Sequence, residues 1–288
     1  MLGVIGGTGL YGLPEIESPE LTLFDTPFGL PSDLMLTGHL GALKIAFISR
    51  HGEGHRWSPT NVPYRANLYA FKQIGVTHVL SISAVGSLRE NLPPRHVVVP
   101  DQIIDRTEGR PRTFFENGIV AHVGLADPYC PIWRERLADL AIEAGASVEP
   151  GGTYLCIEGP QFSTRAESHL YRSWGAHIIG MTAMPEARLA REAELCYATL
   201  AMVTDFDVWH EDQEDVSVEV VGENLAANAS TGLAVIRRIA ERGLSERDCG
   251  CSRALRDAVV TAPESWPEES RRRVELFLSS GPPTREAL

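Results

Sequence analysis

The sequence predicts an α/β protein with a mixed, largely buried sheet, and three observations carry that expectation. Strand-like apolar runs recur along the 288 residues. Segments of helical periodicity lie between several of them, the alternation expected of α/β architecture. No repeat, low-complexity tract or long linker divides the chain.

Taken in order, the first predicted strand is Leu2–Gly6. Others are expected over 44–49, 78–83, 97–99, Thr153–Ile157, 177–180 and 197–204. Residues 61–74 place Tyr64, Leu68, Phe71 and Ile74 on one helical face. Residues 131–144 do the same with Ile132, Leu137, Leu140 and Ile142. A helix over 164–174 starts with Ser163 and Thr164 as cap candidates and Glu167 three residues after Thr164, a capping-box spacing. Residues 183–195 carry Pro185 in the first turn, where its missing N–H costs little. A long amphipathic helix is expected over 216–242, followed by two short helical stretches within 252–288. Residues 1–266 read as the functional domain and 267–288 as a C-terminal tail, partly helical and frayed.

Composition narrows the function classes. With 43% hydrophobic and 22% charged residues the chain is that of an ordinary globular protein. A formal net charge of -12 argues against general nucleic-acid binding, yet leaves room for an anionic substrate held by local donors. No apolar run approaches the roughly 18 residues of a membrane span, and the N-terminus lacks a basic leader, so a cytoplasmic location is the expectation. Cys130, Cys156 and Cys196 read as isolated reduced core residues. Cys249-Gly250-Cys251 fits a strained disulfide, a redox-labile pair or two ordinary thiols. One CxC without partners is too little for a zinc site, so no metal is expected.

Candidate functional residues gather at predicted strand ends. Residues 197–204 run into Asp205 and Asp207, whose alternation on an extended strand aims both carboxylates at one spot. A carboxyl in an apolar pocket can hold a proton near neutral pH or receive one from a base ring. A loop start that caps the next helix would explain the same two acids. Gly7-Thr8-Gly9-Leu10-Tyr11-Gly12 matches G-x-G-x-x-G, but Pro14 and Pro19 interrupt the helix a dinucleotide fold needs there. A glycine turn with the Thr8 hydroxyl fits phosphate instead. Arg50 can grip an oxyanion bidentately and His51 can donate a further bond. His51 and His55 are spaced for a helical metal pair, but Gly52 and Gly54 disfavour that helix. Ser81 to Ser87 ends a strand in small residues that admit a flat ring or a phosphate, though a tight strand–loop turn fits equally. Thr182 stands where a helix N-terminus begins, suited to an anion or to plain capping. Donors for an anion at several strand ends, with carboxylates for a weakly basic ring at another, form the layout expected of a nucleoside phosphorylase.

Six motifs, in order, resemble the 5′-methylthioadenosine phosphorylases of the purine nucleoside phosphorylase superfamily over about residues 2–240. They are Gly6-Gly7-Thr8-Gly9, Ser49-Arg50-His51-Gly52, the run from Ser83 to Glu90, the run from Ile157 to Ser168, the run from Met181 to Glu186, and Thr204-Asp205-Phe206-Asp207-Val208-Trp209. The resemblance implies a single α/β domain built on a distorted mixed β-sheet flanked by helices, assembled as a trimer or a dimer of trimers. It implies phosphate binding by Thr8, Arg50, His51, Ser83, Ala84 and Thr182, with Ser83 also counted among the catalytic groups. Met181 would lie under the ribose, and Phe162, Ala84, Val85 and Gly86 around the purine. Asp205 would face N7 and Asp207 the exocyclic amine, while Val218 and Val221 line a methylthio pocket. His122 matches a residue that the family donates across the subunit interface. Phosphate is a co-substrate, and neither cofactor nor metal is implied. The acid pair favours adenine over 6-oxopurines, because an amine needs an acceptor. A non-catalytic nucleotide-binding module and a nicotinamide oxidoreductase are rival readings that the motifs disfavour.

Overall fold

The computed structural model describes residues 1–212 and 214–278. Its centre is one mixed sheet of eleven strands. The strands are β1 (Leu2–Gly6), β2 (Glu17–Thr22), β3 (Met35–Leu40), β4 (Leu43–Ser49), β5 (His78–Ser87), β6 (Val97–Val98), β7 (Gln102–Arg106), β8 (Val148–Glu149), β9 (Thr153–Ile157), β10 (Ile178–Gly180) and β11 (Cys196–Asp205). Among the described residues six α-helices accompany them: α1 (Tyr64–Gln73), α2 (Pro131–Glu143), α3 (Arg165–Ser173), α4 (Ala183–Glu192), α5 (Val218–Arg242) and α6 (Glu268–Leu278).

β5 organises the sheet. Its first half lies between β1 and β11, both parallel to it. At Gly86 and Ser87 it pairs instead with β10, which runs antiparallel. β4 lies parallel to β1 on the other side. The C-terminal ends of β1, β4, β5 and β11 therefore share one edge, and the chain leaving β10 runs back beside Ser83 and Ala84. The branch where β1 leaves β5 and β10 joins it distorts the sheet and opens a crevice, the kind of place where α/β sheets hold ligands.

The centre of the sheet is buried on both faces, and β11 alternates between two cores. Tyr197, Ala201 and Val203 enter the core that holds Leu68 and Phe71 of α1 and Leu189 and Ala190 of α4. Cys196, Ala198, Leu200 and Met202 enter the core built with Trp133 and Leu137 of α2 and Val235, Ile236 and Ile239 of α5. Such two-sided burial produces the near-continuous apolar runs seen in the sequence.

Several expectations need correction. The strand expected over 78–83 continues to Ser87, so the small residues that also fitted a loop turn are strand residues. β2, β3, β7 and β8 were not anticipated. β2 is exposed along its whole length and carries Glu17, Pro19 and Glu20, so only pairing with β3 holds it extended. The segment after Gly12 forms no helix, which removes the dinucleotide reading. α4 is interrupted in its first turn, where Met184 is extended (φ -113, ψ 136) ahead of Pro185. α3 starts as expected: Thr164 accepts from Glu167 N–H, and the Glu167 side chain accepts from Thr164 N–H. α6 is docked, with Val274 and Phe277 in the main core and Phe277 against Tyr69 and Phe114. The rest of the expected frayed tail, 279–288, lies outside the described residues. No helix among the described residues is long and apolar enough to cross a membrane.

Candidate active site

The crevice is a cavity of about 450 Å³, large enough for a nucleoside and a small anion together. Every residue singled out from the sequence lines it except His122: Thr8, Arg50, His51, Ser83, Ala84, Val85, Gly86, Phe162, Met181, Thr182, Asp205, Asp207, Val218 and Val221 all do. His122 lies outside the cavity, and its backbone N–H donates to Ala258 O at 2.7 Å.

One end of the cavity gathers hydroxyl groups. Thr8 follows β1, Ser83 lies on β5, and the reversal at β10 brings the Thr182 hydroxyl to 3.5 Å from Ser83 Oγ. Thr182 precedes α4 without capping it, so plain capping does not explain its hydroxyl. The break at Met184 means that a regular helix N-terminus does not face this end of the cavity, contrary to expectation.

Arg50 serves differently from expectation. Its guanidinium is buried and its fork is spent on Glu186: Nε donates to Oε1 at 2.5 Å and Nη2 to Oε2 at 3.2 Å. Nη2 also donates to Ser81 Oγ and Nη1 to Ile82 O. Burial opposes its charge, but Glu186 outweighs that and holds the pKa above its ordinary value. A bidentate grip on phosphate is thus not available, because a buried charge takes the partner that neutralises it. What remains is one Nη1 hydrogen beside Gly7, where a Cβ would come within 2.8 Å of Nη1 and 2.4 Å of Ile82 O. Glycine at that position lets the loop close over Arg50.

His51 also differs from expectation, because its ring hydrogen is already donated to the backbone. Nδ1 lies 2.8 Å from Trp57 O, so it carries the hydrogen and leaves Nε2 with a lone pair. Burial, then the charge of Arg50, lowers its pKa to about 3. Its ring stacks on His55 at 4.2 Å, face to face, which does not suit metal ligation.

The opposite end holds the acid pair. Asp205 ends β11 after a bulge between Val203 and Asp205, and Asp207 sits in a turn with positive φ (54°). The two carboxylates meet through this left-handed turn, not through strand alternation as expected; aspartate tolerates the conformation better than most residues. Asp207 N–H donates to Asp205 Oδ1 at 2.8 Å. Thr204 Oγ1 lies 2.7 Å from Asp205 Oδ2 and 3.2 Å from Val85 O. Burial raises the pKa of Asp205, partly offset by Thr204 and by Asp207 N–H. Burial likewise raises Asp207 to about 6; the Ser168 and Ser163 hydroxyls oppose the shift and Asp205 adds to it. Asp207 lines the cavity, and its Oδ2 is buried without a hydrogen-bond partner among the described residues. The acids do not cap α5, whose N-cap is Ser217, accepting from Val220 N–H.

Gly86 lies between these groups. A Cβ there would sit 2.9 Å from Asp205 Oδ1. The first turns of α5 cover the mouth with Val218, Val221 and Leu225, and Phe162 stands at the rim, 41% exposed.

Sequence reasoning missed several supporting groups. Glu186 is buried and accepts from Arg50, Ser81 and Tyr197. An acid among Ala183, Met184, Pro185, Ala187 and Leu189 was the available signal, since it demands a buried cation. Arg110 ties the loop walls together through Met181 O, Met184 O and Glu158 O, and nothing in its surrounding sequence announced it. The cysteine reading is also corrected: Cys130 and Cys196 are not isolated but cluster with Cys249 and Cys251, all as free thiols.

The family model described as Phosphorylase superfamily matches residues 1–241. An S-methyl-5'-thioadenosine phosphorylase of Geobacter sulfurreducens is 50% identical over 281 residues, covering 97% of this chain and 98% of that one. One from Cereibacter sphaeroides is 51% identical over 266 residues, covering 91% and 92%. The crystal structure of a methylthioadenosine phosphorylase from an antarctic soil metagenomic library superimposes with a TM-score of 0.88 at 46% identity, covering 96% of this chain and 98% of that one. A methylthioadenosine phosphorylase of Schistosoma mansoni in complex with adenine gives 0.78 at 35% identity, covering 84% and 90%.

Proposed function

This chain belongs to the phosphorylase superfamily, and from that membership we propose that it cleaves 5′-methylthioadenosine with phosphate to give adenine and 5-methylthioribose 1-phosphate. The observation that carries the reading is the cavity's polarity: two acids with raised pKa values at one end and hydroxyls around a neutralised Arg50 at the other.

Phosphate lies against Thr8, Ser83, Ala84 and Thr182, with the remaining Arg50 Nη1 hydrogen directed at it. His51 Nε2 accepts from the hydroxyl of a monoprotonated phosphate. The glycosidic bond stretches first, positive charge grows on the ribosyl group, and the phosphate charge stabilises it from the opposite face. Negative charge grows on the purine and is neutralised by a proton delivered to N7 through Asp205, which acts as general acid. The single Thr204 hydroxyl hydrogen lets the site serve both protonation states. Turned to Asp205 it stabilises the carboxylate; turned to Val85 O it leaves Thr204 Oγ1 to accept from protonated Asp205. Asp207 accepts from the exocyclic amine. Gly86 and Phe162 hold the purine, Met181 the ribose, and Val218 and Val221 the methylthio group. His122 reaches the site of a neighbouring copy in a trimer or dimer of trimers. The reaction uses no metal or organic cofactor.

The decisive experiment follows absorbance with methylthioadenosine, with and without phosphate, and with methylthioinosine in parallel. Phosphate-dependent adenine release with little reaction of the inosine analogue is expected. Adenine release without phosphate would make the enzyme a hydrolase, and preference for the 6-oxopurine would overturn the role of Asp207.

A further inference from the structure

Four cysteines from three separate parts of the chain converge on the α2–α5 face of the sheet, at the opposite end of β11 from the acid pair. Cys130 is the N-cap of α2, Cys196 is the first residue of β11, and Cys249 and Cys251 lie at a short 3-10 turn (Gly250–Arg253) after α5. All four are buried in one core. Their sulfurs lie within 4.8 Å of one another, Cys196 and Cys249 at 3.5 Å. A tetrahedral zinc with Zn–S bonds of about 2.3 Å sets its sulfurs about 3.8 Å apart. The cluster therefore needs shifts of no more than about 1 Å to close on such an ion, which protein thiolates favour over harder donors. Two disulfides would instead separate the sulfurs into two bonded pairs.

We propose that Cys130, Cys196, Cys249 and Cys251 bind one zinc ion as a structural site of four thiolates. Binding releases the four thiol protons to solvent and leaves a centre of net charge about -2. The surroundings suit that charge. Trp133 N–H donates to Cys130 Sγ at 3.4 Å and Arg191 Nη1 to Cys251 Sγ at 3.6 Å, while Arg247 stands beside Cys196. Donors to ligand sulfurs orient them and offset the centre's charge. The ion would clasp the chain after α5 to the starts of α2 and β11. That segment continues to Ala258, whose carbonyl accepts from His122 N–H, so the clasp also steadies the His122 loop. Cys156 stays outside, its sulfur beside Met184, and serves as an internal control.

The test uses the full chain, purified under reducing conditions after growth with zinc. Metal content is measured by mass spectrometry, and thiols are titrated before and after a chelator. About one zinc per chain is expected, retained in Cys156→Ser and lost in Cys249→Ser and Cys251→Ser. Replacement by cobalt should give sulfur-to-metal charge-transfer bands and the intense visible bands of tetrahedral cobalt. Zinc removal should lower the melting temperature by several degrees. Negligible zinc in the wild-type chain, a different metal at stoichiometry, or non-reduced peptides linking these cysteines as disulfides would each overturn the site. Should the serine variants fail to fold, wild-type metal content and the cobalt spectrum decide the matter alone.

Discussion

At the scale of single residues, the acid pair links the proposed chemistry to stability. Asp207 is mostly buried, and its pKa stands at about 6 against an ordinary 3.8. A carboxyl whose folded pKa exceeds its unfolded value keeps its full contribution below the unfolded pKa and loses it as pH rises through the folded one. The cost of holding Asp207 ionised thus grows from about pH 4 to about pH 6 and reaches roughly 3 kcal/mol as an upper bound. Asp207→Asn should therefore raise the melting temperature at pH 8 and leave it nearly unchanged at pH 4, while weakening the preference for adenine over hypoxanthine nucleosides. Thermal melts across that range are the measurement; an equal shift at both pH values would mean that the ionised form is not strained. This pair was singled out in the sequence because two acids end a long apolar run, although a loop start capping the next helix explained them equally; the structure removes that alternative, since Ser217 caps α5. The pair's geometry was not legible. The bulge before Asp205 lies where β11 pairs with the end of β5, and Asp207 follows in a left-handed turn; local sequence encodes neither. The same holds for Arg50: its residue type indicated an anion ligand, but only the fold shows that Glu186 has taken the fork.

At the scale of elements, β5 and α5 set the two walls of the site. β5 keeps small residues from Ser83 to Ser87 because β10 and β11 crowd its end. Gly86→Ala places a methyl 2.9 Å from Asp205 Oδ1, and the carboxylate must rotate away from Asp207 N–H. Overpacking of this kind costs about 1–3 kcal/mol, and if it falls on the transition state kcat/KM drops roughly 10- to 100-fold. Melting curves beside kinetics separate the two effects: little change in kcat/KM would show that Asp205 is not held by Gly86. The facing wall is the start of α5, held in place by the Ser217 cap. Val221 is half-buried there and Val218 is 75% exposed, so Val221 carries more of the apolar contact. Val221→Ser should lower the ratio of kcat/KM for methylthioadenosine over adenosine by about 10-fold, since one methyl-sized contact is worth about 1–3 kcal/mol. An unchanged ratio would place the 5′ specificity elsewhere. The periodic helices and buried strands were legible from sequence, whereas β2, β3 and β7 were not. Edge pairing holds β2 extended, and its residues stay exposed.

At the scale of the whole molecule, the chain's own cavity contains every expected group but His122. His122 lies outside that cavity, fastened to the C-terminal segment at Ala258, and under the proposed function it serves another copy. Shared sites of this kind can be tested by complementation. His122→Ala keeps its own acid pair but cannot donate the histidine, and Asp205→Asn donates the histidine but has no general acid. Each variant alone should be nearly inactive towards methylthioadenosine. In cyclic assemblies formed from equal amounts of both, a site is intact only where a His122→Ala chain receives its histidine from an Asp205→Asn neighbour, which is about one interface in four under random mixing. Co-expression should therefore restore roughly a quarter of wild-type activity, whereas mixing the two proteins after separate assembly should restore none until subunits exchange. Sites confined to one chain would show no recovery at all, because every acid-bearing copy would still lack its histidine.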